Sequence, residues 1–151
     1  MNITPWGENS EQDVQELEQQ IGFALPADYR QFLLDNNGGE VTNQTFFVRH
    51  LDQEVLMDVF YGITSRYSRS LTLGFWLKEY KGELGESELV IGRDPGGHKI
   101  LYITAGEDKG VYYWDTNHFF AQSSEQGNAY FVADDFTAFC QALRDYSPFG
   151  V

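Results

Sequence analysis

Apolar residues recur along the chain at two periods, and the switch between them divides it into a helical start, a strand-rich middle and a helical end. Over residues 10–21 (SEQDVQELEQQI), Val14, Leu17 and Ile21 fall on one helical face, and Glu11, Gln15 and Glu18 fall opposite. Ser10 is placed to cap this helix, and Asp13, three residues on, completes a variant of the capping box. Residues 22–39 (GFALPADYRQFLLDNNGG) predict a second helix. Pro26 suits its first turn, where a missing N–H costs nothing, and Asn37, Gly38 and Gly39 stop it, because glycine adopts the left-handed conformation without a Cβ penalty. Tyr29, Phe32 and Leu33 form its apolar face. The short join predicts that the two helices pack as a hairpin.

Beyond residue 40 the pattern is that of strands. Residues 45–48 (TFFV) and 54–61 (EVLMDVFY) are rich in aromatic and β-branched side chains. Residues 70–81 (SLTLGFWLKEYK) predict a third helix capped by Ser70, with Leu71, Phe75 and Trp76 inward. Strands are then expected at 88–92, 99–104, 110–114 and 129–133. RDPGGH and AGEDKG supply the turn residues between the first three. A last helix begins at Asp134 or Asp135 and buries Phe136, Phe139 and Leu143; the tail SPFGV is expected to be loop. Strict alternation puts Tyr112 and Trp114 on one face of their strand and Tyr113 on the other, with Trp114 expected in the core. The fold class is therefore α+β, a mainly antiparallel sheet flanked by N-terminal and C-terminal helices, with residues 1–151 as one domain.

Charge narrows the function. Ten Lys and Arg against 23 Asp and Glu leave a formal net charge of −13. That argues against nucleic acid as a ligand, since phosphate backbones are bound by basic patches. The acids are uneven: residues 1–29 contain no Lys or Arg, and most basic residues lie between Arg49 and Lys109. No apolar stretch approaches the ~20 residues that cross a bilayer, the N-terminus does not read as a signal peptide, and one cysteine, Cys140, suits a reducing compartment, so the cytoplasm is the expected location.

Candidate chemistry is sparse. His50, His98 and His118 form no metal-type pair, and Asp115 with His118 is expected to be two solvated side chains in a loop. Cys140 has no charged neighbour placed to activate it. GRDPGG at 92–97 is followed by a strand, so it reads as a hairpin turn and not a phosphate cradle, which needs a helix start. GELGES at 82–87, with Glu79, Glu83, Glu86 and Glu88, reads as an acidic loop lacking calcium-loop spacing. No catalytic residue, metal site or cofactor is expected.

Four blocks in order, LPADYRQFLLDNNGG (25–39), ELVIGRDPGGHKILYI (88–103), KGVYYWD (109–115) and YFVADDFTAFCQAL (130–143), resemble the SUKH superfamily, the SMI/KNR group named after fungal cell-wall-synthesis regulators. The resemblance covers about residues 10–145. It implies an α+β module that works by binding protein. Many bacterial members are immunity proteins that neutralise a toxin domain, often a nuclease; fungal relatives are regulatory scaffolds, whose long acidic or low-complexity extensions are not seen here. An acidic surface complements the basic groove of a nuclease, and the expected partner-binding residues are Asp52, Glu54, Asp58, Glu83, Glu86 and Glu88, with the first helix as a second candidate surface. A regulatory scaffold without a toxin partner is the alternative, and an enzyme the least supported reading.

Overall fold

The protein is described by a computed structural model covering residues 1–124 and 127–146. The tail expected as loop, residues 147–151, lies outside the described residues. The N-terminal hairpin forms as its local chemistry requires. Helix α1 (Glu11–Ile21) is closed by a reciprocal capping box: Ser10 Oγ accepts from the Asp13 amide at 3.1 Å, and Asp13 Oδ2 accepts from the Ser10 amide at 2.8 Å. These bonds hold the Asp13 carboxyl below its usual pKa. Gly22 ends the helix in the left-handed region at φ 87°. Helix α2 (Ala27–Asn36) starts after Pro26 and stops at Asn37, itself left-handed at φ 49°. It is shorter than the 22–39 segment because Gly22–Leu25 form the connection, which Glu18 straps by accepting from the Leu25 amide at 2.7 Å.

The strands form two sheets. Ile3–Pro5 (β1), Gly39–Val41 (β2), Val59–Phe60 (β5), Glu88–Arg93 (β6), Lys99–Ile103 (β7), Gly110–Trp114 (β8) and Ala129–Ala133 (β9) make a seven-stranded sheet in the order β1-β2-β5-β6-β7-β8-β9. Gln44–Val48 (β3), Gln53–Leu56 (β4) and Arg144–Asp145 (β10) make a smaller one in the order β10-β3-β4. Every ladder is antiparallel. The segment 54–61 is therefore not one strand. The Met57 amide still donates to Gln44 of the small sheet, whereas the next amide, Asp58, donates to Arg93 of the large one. The chain changes sheets between consecutive residues, so an unbroken apolar run conceals a corner.

Two further helices pack on the sheets. A 3-10 turn at Arg69–Leu71 precedes α3 (Leu73–Glu79), whose cap is Thr72 and not Ser70: Thr72 Oγ1 accepts from the Phe75 amide at 3.3 Å. Ser70 instead uses its carbonyl to hold the Trp76 indole N–H at 2.7 Å. Asp135 caps α4 (Phe136–Ala142), accepting from the Ala138 amide at 2.7 Å.

The core is built on rings. Phe136 of α4 meets Phe32 and Tyr29 of α2 at centroid distances of 4.9 and 5.0 Å, and Phe32 meets Phe60 at 5.3 Å. Each burial of this kind is worth ~1.5–3 kcal/mol, with tilted ring pairs adding roughly 0.5–1.5 kcal/mol. On β8 the buried ring is Tyr113; Trp114, expected in the core, is half-buried and lies against Tyr80 at 4.7 Å. Tyr113 is buried on one face of the large sheet, and Trp114 points to the other, against Tyr80 at the end of α3.

Candidate functional site

The six carboxylates singled out from the sequence lie at the two ends of β6. Glu88 opens that strand and Arg93 closes it, roughly 17 Å further on at the rise of a strand. Glu83 and Glu86 are exposed in the loop leading to Glu88, and Glu88 is partly committed, accepting from the Gly85 amide at 2.8 Å. At the far end Asp58 pairs with Arg93 at 2.9 Å, so its charge is largely matched. Asp52 is exposed and left-handed at φ 53°, and Glu54 is exposed while accepting from the Thr45 hydroxyl. The structure thus separates two groups, Glu83/Glu86/Glu88 and Asp52/Glu54/Asp58. On the first helix, Glu11 and Glu18 both bind Arg30, at 2.5 and 3.3 Å.

Beside β4 runs a groove of about 530 Å³. One wall is β4 itself; the other carries Phe119 and Phe120, and its floor holds His98 and Tyr113. Phe119 is 74% exposed. The loop bearing both phenylalanines is shaped by Asp115. Fully buried, its carboxylate accepts from the amides of Phe119 and Phe120, each at 2.9 Å, and from Ser123 Oγ at 2.6 Å. Burial alone would push this carboxyl up, but the three bonds and nearby His98 outweigh it and hold Asp115 below its usual pKa. His98 is buried as well, with Nε2 at 3.3 Å from Asp115 and Nδ1 at 3.1 Å from Asp94. Tyr113 donates to Asp94 at 2.7 Å. The expectation of a solvated Asp115–His118 pair is corrected: Asp115 turns inward to His98, and only His118 is exposed. His98 follows Asp94 by four residues across the Pro95-Gly96-Gly97 turn, a spacing that signals the Asp94–His98 contact; nothing in the sequence signals the one between His98 and Asp115.

A second buried charge was not foreseen. Lys99 starts β7, is 4% exposed, and has its Nζ 2.9 Å from the Tyr61 hydroxyl and 3.3 Å from the Trp76 ring centroid. Desolvation first, then repulsion from Arg93, pulls its pKa down to about 8. Among the described residues no group of three or more His, Cys, Asp or Glu side chains could hold a metal ion. Burial pushes the Cys140 thiol up to about 12, which makes it a poor nucleophile.

The model of the SMI1/KNR4 family (SUKH-1) matches residues 8–142. The chain belongs to this family. No curated protein matches it. Membership fits the architecture just described, in which the matched span runs from the α1 cap to the end of α4. Among the described residues no helix of this SUKH-1 chain is long and apolar enough to cross a membrane.

Proposed function

We propose that this SUKH-1 chain is a protein-binding module of the immunity type, which neutralises a nuclease-type toxin domain by covering its basic groove with an acidic surface. The observation that carries the reading is the family match over residues 8–142. It is supported by a net charge of −13 and by exposed carboxylates in both groups, Asp52 and Glu54 at one end of β6 and Glu83 and Glu86 at the other. The mechanism is occlusion. Long-range attraction brings the toxin in, raising the association rate by roughly 10–10³. Buried aromatic anchors then supply affinity, because exposed ion pairs contribute only about 0–1 kcal/mol each. In this reading the chain has no catalytic residue and needs no cofactor.

The test is co-expression with the toxin candidate encoded next to this gene. The candidate alone should arrest growth, and this chain should restore it. With purified partners, kon should fall steeply between low and high salt while koff stays nearly constant. Failure of this chain to restore growth against any toxin candidate encoded beside it would favour a regulatory scaffold, and a salt-independent kon would remove the electrostatic part.

A further inference from the structure

Among the described residues the outer edge of β4 has no strand paired to it. In the β3–β4 ladder Met57 donates to Gln44, so by the alternation of an antiparallel pair Val55 and Gln53 also face β3. Glu54 and Leu56 must then turn their N–H and C=O groups away from the sheet. No described residue bonds them there. All four residues of β4 line the 530 Å³ groove, which a cleft over one face of a strand would not allow; the groove follows the edge.

Proteins normally protect such edges by shortness, proline, bulges or cover. The other edges follow that rule. Strand β1 has three residues and ends in Pro5, β10 has two, and β9 packs against the Arg49–Leu51 turn. Strand β4 has four residues, no proline and an uninterrupted register. Within the strand its one charged guard is Glu54, and a single carboxylate repels acidic strands while admitting basic ones.

We infer that β4 is a docking edge, onto which a partner adds an extended segment that alternates cationic and apolar residues. Backbone bonds would form at Glu54 and Leu56, as in strand addition generally. Cationic side chains would lie beside Glu54, and apolar ones would reach Phe119 and Phe120 across the groove. The lining supports that choice of charge: Glu54 is its exposed carboxylate, Asp94 is buried against Tyr113 and His98, and no lysine or arginine lines it. A second copy of this chain is disfavoured, because β4 against β4 would set the two Glu54 side chains opposite or diagonal to each other, within roughly 8 Å, in a protein of charge −13. The inference rests on reading the chain as a protein-binding module, and adds where and in what conformation the partner is held.

The experiment uses the full chain and a blocked synthetic hexapeptide of alternating lysine and valine. Two controls are the same peptide with alternate backbone amides N-methylated, which keeps charge but cannot complete a ladder, and a glutamate–valine peptide. Amide exchange is followed by NMR. With the lysine peptide at about ten times its Kd, exchange at Glu54 and Leu56 should slow about tenfold, and neither control should slow it. Equal binding of the methylated and unmethylated lysine peptides would overturn the docking edge while leaving the acidic-surface reading intact. No change at Glu54 and Leu56 with the lysine peptide would overturn it too. So would protection of these amides in the free chain that grows with protein concentration, since the edge would then belong to a second copy.

Discussion

The Lys99 ammonium sits 3.3 Å from the centroid of the Trp76 ring and 5.5 Å from that of Tyr61, in a row where Tyr61 and Tyr80 are each tilted 23° from Trp76. Tyr61 is also its hydrogen-bond partner. The nearest compensation for a buried charge is therefore an aromatic face and a phenol, which together are weaker than a carboxylate. Two opposing effects act on this amine: burial favours the neutral form, and the π-face favours the ammonium.

The sign of the pH dependence follows. The folded pKa lies at about 8, below lysine's ordinary value of 10.5, so between them the unfolded chain holds the extra proton. Stability should rise with pH across that interval. The buried tyrosines act the other way, since Tyr29, Tyr61 and Tyr113 have pKa values raised by burial and destabilise the fold only once the unfolded phenols ionise, near pH 10. The clean window is thus pH 8 to 9.5, where urea denaturation should show a gain of at most about 2 kcal/mol. In Lys99→Met that gain should vanish. A flat wild-type profile would mean that Trp76 holds the ammonium as well as water does.

Asp115 organises the groove's phenylalanine wall, and its removal should be felt in the loop before the core. Asn in its place can accept from one of the Phe119 and Phe120 amides but turns an N–H₂ toward the other. Asp115→Asn should cost roughly 1–3 kcal/mol and speed exchange at the Phe119 and Phe120 amides more than at Ile100 or Val111. Because its folded pKa is depressed, the carboxylate contributes stability above its ordinary value of 3.8, and that contribution disappears as pH falls through the folded value. The variant should accordingly lose less stability than wild type between pH 5 and 2. An unchanged acid limb would show that Asp115 does not carry it.

Local signals were legible and non-local ones were not. The Ser10–Asp13 box and the Asn37 stop depend on neighbours within a few residues, so spacing alone reveals them. The use made of Asn37 was hidden. Its buried side chain accepts from the Ile63 amide at 2.8 Å and from Asn9 at 3.0 Å, and donates to Thr64 at 3.1 Å, tying α2 to segments 26 residues or more away. The corner at Met57–Asp58 was invisible for a similar reason, since both sheets want apolar residues and only the partners differ. Lys99 and Asp115 look solvated in the sequence because nothing local declares their burial. The antiparallel α+β class survived these gaps because hydrophobic period, turn residues and caps agree along most of the chain.

The two carboxylate groups make different predictions for a partner, and paired neutralisation separates them. Asp52→Asn with Glu54→Gln removes charge at the β4 edge while asparagine keeps the left-handed φ of 53° accessible at position 52. Glu83→Gln with Glu86→Gln does the same at the opposite end of β6, in a loop whose Glu88–Gly85 bond is left in place. Both pairs are exposed, so folding stability should change by no more than about 0.5 kcal/mol. If the partner docks on β4, the first pair should lower kon several-fold and flatten its salt dependence, and the second should act only through the weaker long-range field. Equal effects of the two pairs would mean that net charge steers the encounter without a preferred face. A dominant effect of Glu83 and Glu86 would move the docking surface to the loop after α3, away from the open strand.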